Sequence, residues 1–234
     1  MAPTIPDTPE WQKMLAGGGY NAYDPALIKG RYDAKRACRK YNDTLGDPNN
    51  LGPAGIIEER GRLLENILGT CDPKAIEIEP PFYVDYGCNM HVGSGFYANH
   101  GLVALDCAEI RAGDRVLCGP YVQLATAGHP TNVQERRDGV EFAKTITIGD
   151  DVWLGGNVIV LPGVTIGSGV TVAASSVVNR DVPSNCVVAG TPCRIVRKLE
   201  GFIEPTKAEQ EAGEAMKNLQ GKGLSRRLRR ARDP

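Results

Sequence analysis

Residues 146–182, ITIGDDVWLGGNVIVLPGVTIGSGVTVAASSVVNRDV, decide the fold. Ile148, Leu154, Val160, Ile166, Val172 and Val178 fall six residues apart without a break, and Ile146, Val152, Val158, Val164 and Val170 form a second row offset by two. An α-helix turns by about 100° per residue and scatters a six-residue spacing around its circumference. Three short strands per turn of a triangular coil instead bring the same position back to the inside on every flat face. Gly149, Gly155, Gly167 and Ala173 follow the first row, at corners where a larger side chain clashes or strains the backbone. The chain therefore reads as mainly β, with a parallel β-solenoid as its body. A β-sandwich of short strands is the alternative, but simple alternation has no reason to keep a six-residue phase over so long a run.

Working outward, the same rhythm recurs less regularly at Ile110, Val116 and Val122, with Gly113 and Gly119 at corners. The solenoid is expected over 76–200. Residues 127–145 break the pattern and read as a long loop leaving the coil, and such loops are frequently binding or lid segments. Residues 1–75 read as a helical cap. Thr8-Pro9-Glu10 supplies a capping residue, a proline and an early acid before the run at 11–15, which ends at three glycines. Asp24-Pro25 opens a second helix with Leu27, Ile28, Tyr32, Ala34, Cys38 and Tyr41 on or near one face, and Pro53 opens a third with Ile56, Ile57, Leu63, Leu64, Ile67 and Leu68 at helical spacing. In the tail, 201–234, residues 206–219 read as a polar helix followed by the basic cluster Arg226, Arg227, Arg229, Arg230 and Arg232.

Composition bounds the function. With 234 residues, 41% apolar and 24% charged, the chain can bury a real core and lies outside the disordered regime. The 27 Lys and Arg nearly cancel the 28 Asp and Glu, so no global field draws it to nucleic acid or to an anionic membrane, and neither is expected as a partner. No segment approaches the ~18 consecutive apolar residues of a membrane span, and the first residues lack a basic stretch leading into an apolar run. A soluble, cytoplasmic protein is the default expectation. The seven cysteines are odd in number and contain no C-x-x-C pair, so neither a disulfide framework nor a zinc knuckle is indicated.

Three histidines are available for chemistry: His91, His100 and His129. Only His129, in Thr-Ala-Gly-His-Pro, stands where the coil gives way to the loop. Near neutral pH an imidazole can take a proton from an alcohol and return it. Taken alone, a histidine beside a proline reads first as a satisfied turn residue. Glu141, at the far end of the same loop, supplies a carboxylate that can hold one ring nitrogen and leave the other free.

The hexad rows, the Thr-Ala-Gly-His-Pro turn, Ile-Gly-Asp-Asp-Val-Trp-Leu-Gly, Leu-Pro-Gly-Val-Thr-Ile-Gly and the closing Ala-Gly-Thr-Pro-Cys-Arg together resemble the maltose and galactoside O-acetyltransferases of the left-handed parallel β-helix superfamily. The resemblance covers most of the chain and includes the cap, where Lys-Met-Leu-Ala-Gly is followed by a Tyr, Asp-Pro and Arg31. It implies a left-handed winding, an exception to the right-handed crossover rule. It also implies an acetyl-coenzyme A-dependent sugar O-acetyltransferase, a homotrimer with sites at subunit interfaces, and no metal. In this family the general base maps to His129 and its orienting acid to Glu141. Acceptor contacts map to Arg31, Asp85, Tyr97 and Asn99, with Phe142 where some relatives have Met. Contacts to acetyl-CoA map to Gly119, Gly156, Ala174, Asn179, Arg180, Arg194 and Arg197, and Trp153 maps beside the reaction centre.

Each of these positions has a plainer reading. Asp85 and Asn99 suit turns, Tyr97 a core ring, Arg31 a solvated helix residue and Trp153 core packing. The cap also departs from the family: an acceptor-binding acid of some relatives falls near Ala22, with Asp24 displaced, which leaves the sugar open. The runners-up are an acyltransferase of this fold with a non-sugar acceptor and a non-catalytic β-helix binding module. A zinc carbonic anhydrase on the same coil needs three converging histidines, and spacings of 9 and 29 residues are not multiples of the roughly 18-residue turn.

Overall fold

Inward-facing positions recur along the chain from Ile76 to Val188, and the strands that carry them stack into three parallel faces. In the computed structural model, which describes residues 5–201, one face holds strands Met90–Val92, Ile110–Ala112, Ile146–Ile148 and Thr165–Ile166. The second runs from Ile76–Ile78 through Phe96–Ala98, Leu117–Cys118, Trp153–Leu154 and Thr171–Val172 to Cys186–Ala189. The third holds Phe82–Val84, Leu102–Leu105, Gln123–Ala125, Ile159–Val160 and Val177–Val178. Both hexad rows point inward: every residue in them from Ile146 to Val178 is buried.

The rungs are not equally long. Ile148 pairs with Ile166, Leu154 with Val172 and Val160 with Val178, eighteen residues apart, as three hexads require. Upstream, Ile76 pairs with Phe96 and Tyr97 with Leu117, twenty apart. The two extra residues fall at the corner between the third and first faces: Phe82 to Met90 and Leu102 to Ile110 are each eight residues, whereas Ile76 to Phe82 and Phe96 to Leu102 are six. The 127–145 excursion leaves from this same corner, so one edge of the prism carries both the longer corners and the excursion.

That excursion is not the structureless loop expected. Ala127–Gly128 and Val140–Ala143 form an antiparallel hairpin around a short helix, Val133–Arg137, whose amides Gln134 and Glu135 donate to the Asn132 side chain. A third strand, Tyr20–Asn21 from the cap, pairs antiparallel with Val140–Ala143, opposing Tyr20 to Glu141. Period analysis missed the hairpin because its strands are too short to alternate visibly.

Three helices form the cap: α1 (Pro9–Leu15), α2 (Pro25–Asn42) and α3 (Gly52–Glu65). Asp24 caps α2 by accepting from Ala26 and Leu27, and Leu27, Gly30, Ala34, Cys38 and Tyr41 make its buried stripe. Tyr32 and Ile57, expected on apolar faces, are exposed; the narrower stripe excludes Tyr32, and its ring lies under the Lys35 ammonium instead. The end of α2 closes the open first rung. Asn42 donates its amide to the Phe82 carbonyl (3.0 Å) and accepts the Phe82 N–H (2.8 Å), while the Tyr41 hydroxyl donates to the Ile78 carbonyl. Side chains thus satisfy ladder groups that a solenoid end otherwise leaves unpaired. The polar helix and basic cluster expected beyond 201 lie outside the described residues.

Candidate active site

Two hydrophobic contacts bring the cap onto the irregular edge. Trp11 packs edge-on against Tyr86, ring centroids 5.0 Å apart, and Tyr20, Met14 and Leu27 bury against Cys107, Ala108 and Ala143. The strand Tyr20–Asn21 is further held by the Glu10 carboxylate, which accepts the Asn21 N–H at 2.6 Å. These contacts fix what the hairpin presents.

His129 follows the hairpin strand directly and is 63% exposed in its side chain; its Nε2 lies 4.0 Å from Oε1 of Glu141. That distance exceeds a hydrogen bond, so the contact is electrostatic in this state; catalytic hydrogen bonds commonly tighten only when substrate is bound. The other carboxylate oxygen of Glu141, Oε2, accepts from the Tyr20 hydroxyl at 3.0 Å. Phe142 lies across the hairpin from Gly128, and a Cβ on Gly128 would meet its ring at 2.8 Å, so the glycine lets the ring cover the backbone beside His129.

Asp85 belongs to the same edge. Its Oδ2 accepts from the Cys107 thiol at 3.4 Å, and its backbone N–H donates to Asp106. Burial raises the Asp85 carboxyl above its ordinary value, opposed by the Cys107 hydrogen bond and by the positive charges of Arg31 and Lys35. Arg31 reaches this cluster, although not as a solvated helix residue: its guanidinium donates to the Tyr86 hydroxyl (2.8 Å) and the Ala22 carbonyl (2.6 Å). Burial also raises the Tyr20 hydroxyl and, well above its normal value, the Cys107 thiol. Both stay protonated and serve as donors.

The remaining positions lie elsewhere on the single chain. Tyr97 and Trp153 point outward from the second face, in the column Glu77, Tyr97, Leu117, Trp153 and Thr171. Trp153 is 54% exposed, which overturns the core-packing reading; Leu154 takes the inward place. Asn99, Gly119, Gly156 and Ala174 stack along the corner that follows this face: Asn99 N–H donates to Cys118, Gly119 N–H to Leu154, and Ser175 N–H to Gly156. Asn179 and Arg180 follow the third face. Arg180 and Arg194 line one cavity of about 290 Å³, with Arg197 further along the exposed strand Arg194–Lys198. The chain therefore assembles Arg31, Asp85, His129, Glu141 and Phe142 on one edge and leaves Tyr97 and Trp153 on the second face and Asn99 at the corner that follows it.

Tyr20, Tyr86, Asp106 and Cys107 also build the edge cluster, and sequence reading passed over them. Tyr20 and Glu141 are separated by 121 residues, and nothing in their spacing announces that they meet. The one visible signal was the eight-residue gap that contains Asp106 and Cys107.

Comparison with known proteins identifies the family. Residues 13–72 match the maltose acetyltransferase hexapeptide capping motif, and residues 145–180 match the bacterial transferase hexapeptide of six repeats. A galactoside O-acetyltransferase of Lactococcus lactis is 45% identical over 181 residues, 77% of this chain and 83% of that protein. The crystal structure of a maltose O-acetyltransferase from Clostridium difficile superimposes with a TM-score of 0.77 at 42% identity, covering 82% of this chain and 98% of that one. A galactoside acetyltransferase in complex with coenzyme A gives a TM-score of 0.72 at 33% identity, covering 83% and 92%. The chain belongs to the maltose and galactoside O-acetyltransferase family of hexapeptide-repeat acetyltransferases.

Proposed function

We propose that this acetyltransferase moves an acetyl group from acetyl-CoA to a hydroxyl of a sugar, within a ternary complex and with His129 as general base. The observation that carries the reading is the exposed imidazole 4.0 Å from Glu141, at the edge that also presents Asp85 and Phe142. With Nε2 facing the carboxylate, Nδ1 is left to accept the proton of the acceptor hydroxyl. The freed oxygen attacks the thioester carbonyl, and the tetrahedral intermediate collapses with loss of the coenzyme A thiolate. Glu141 stabilises the imidazolium formed on the way. Asp85 and Phe142 offer a hydrogen-bonding carboxylate and an apolar ring face, the combination that fits a polyhydroxylated ring.

Acetyl-CoA fits the corner of Gly119, Gly156 and Ala174, where small residues let a thin pantetheine arm approach the coil, and Arg180, Arg194 and Arg197 offer charge to its phosphates, while Asn99 on the same corner offers its amide to the acceptor. In this reading the two halves of the site are completed across subunits. An edge bearing the base on one subunit meets the Tyr97–Trp153 face of its neighbour, and three such contacts close a trimer. Release of free thiol from acetyl-CoA across a panel of maltose, glucose, galactosides, chitin-derived oligosaccharides and simple alcohols tests the acceptor. Turnover with sugars alone is the expected result; turnover with non-sugar alcohols alone overturns it.

A further inference from the structure

We infer that Tyr20, contributed by the N-terminal cap, is a positioning residue that fixes Glu141 against His129; the inference rests on the reading of His129 as base. Glu141 has one oxygen aimed at each neighbour: Oε1 lies 4.0 Å from His129 Nε2, and Oε2 accepts from the Tyr20 hydroxyl at 3.0 Å. A carboxylate on a short strand otherwise rotates freely about its side-chain torsions. Pinning Oε2 leaves Oε1 one direction to face, and that direction is the imidazole.

The Tyr20 end is itself immobile. Tyr20 is 2% exposed, and it opposes Glu141 in register across the antiparallel pair Tyr20–Asn21 and Val140–Ala143. The hydroxyl lies between the Glu141 carboxylate and the Cys107 sulfur; the charged carboxylate is the stronger acceptor and takes its proton at 3.0 Å, while the Cys107 thiol donates to Asp85. Two donors that touch, Tyr20 and Cys107, thus each hold one carboxylate of the edge: Glu141 beside the base and Asp85 in the acceptor region. Through this contact the cap does more than seal the coil. It sets the geometry of the acid that serves the base.

Tyr20→Phe keeps the buried ring and removes only the hydroxyl. The expected result is a loss of kcat of about tenfold, the scale of one hydrogen bond to a charged group, with KM for acetyl-CoA unchanged. A second readout separates this from a purely structural role: in a Glu141→Ala background, Tyr20→Phe causes no further loss of kcat, because its effect passes through the missing carboxylate, whereas an independent structural defect multiplies the loss. Wild-type kcat in Tyr20→Phe, or losses that multiply in the double variant, overturns the inference. If Tyr20→Phe does not fold, Glu141→Asp withdraws the carboxylate from the hydroxyl while keeping its charge, and a comparable loss is expected; full activity there overturns it equally. A fully active His129→Ala protein removes the underlying reading, whereas an inactive His129→Ala beside an unaffected Tyr20→Phe removes this inference alone.

Discussion

Gly119 and Gly156 occupy the same corner on successive rungs, but the coil constrains only one of them: a Cβ on Gly119 would lie 2.6 Å from the Gly156 nitrogen, whereas one on Gly156 meets nothing nearer than Pro120 at 3.4 Å. Backbone cannot retreat from the first contact without disturbing the rung. Gly119→Ala is therefore expected to cost about 1–3 kcal/mol, seen as a lowered Tm. Gly156→Ala leaves Tm nearly unchanged and raises KM for acetyl-CoA, because the added methyl projects where the pantetheine arm is proposed to run. Equal effects of the two substitutions on Tm count against this division.

Asp106 sets a pH dependence. It is fully buried, its Oδ1 accepts from the Asp85 and Tyr86 amides at 3.0 and 2.8 Å, and its Oδ2 accepts from Asn89 at 3.2 Å. Burial pushes its carboxyl up to about 6, opposed by the backbone donors Tyr86 and Gly87. The folded value lies above the unfolded one of about 3.9, so its stabilising contribution is complete below about pH 4 and is lost as pH rises through about 6, a difference of roughly 3 kcal/mol. Asp106→Asn lacks this titration. Thermal melts across pH are expected to show its Tm deficit relative to wild type largest near pH 4 and narrower at pH 7; a deficit that widens with pH contradicts the assignment.

Subunit mixing tests the divided site. His129→Ala removes the base from one edge, and Asn99→Ala damages the opposite corner. Refolded as a mixture, the two inactive proteins are expected to regain about a quarter of wild-type activity, since one interface in four pairs an intact His129 with an intact Asn99 in a random cyclic trimer. A mixture as inactive as its parents, formed into trimers by mass, places both groups in one subunit.

The solenoid was legible because its packing repeats: an inward position every six residues leaves a phase that no helix or sandwich imitates, and Ile146 to Val178 show it directly. The earlier rungs were fainter because the two residues added between Phe82 and Met90, and again between Leu102 and Ile110, reset that phase. His129 and Glu141 were legible as the two ends of an interruption. Their support was not. Tyr20 meets Glu141 only because Trp11, Met14 and Leu27 dock the cap against Tyr86 and Cys107, a tertiary fact with no local signature. Trp153 shows the converse: an aromatic inside a hexad run invites a core reading, and only the strand's alternation, with Leu154 inward, turns it out to solvent.

The most direct test of the account is single-turnover transfer from acetyl-CoA to an accepted sugar by His129→Ala, with coenzyme A affinity measured in parallel. Because the ring is exposed and its loss leaves the coil intact, binding should persist while the rate falls by about 10²–10⁴-fold, the range for removal of a general base. Transfer at the wild-type rate by the His129→Ala protein would contradict the account.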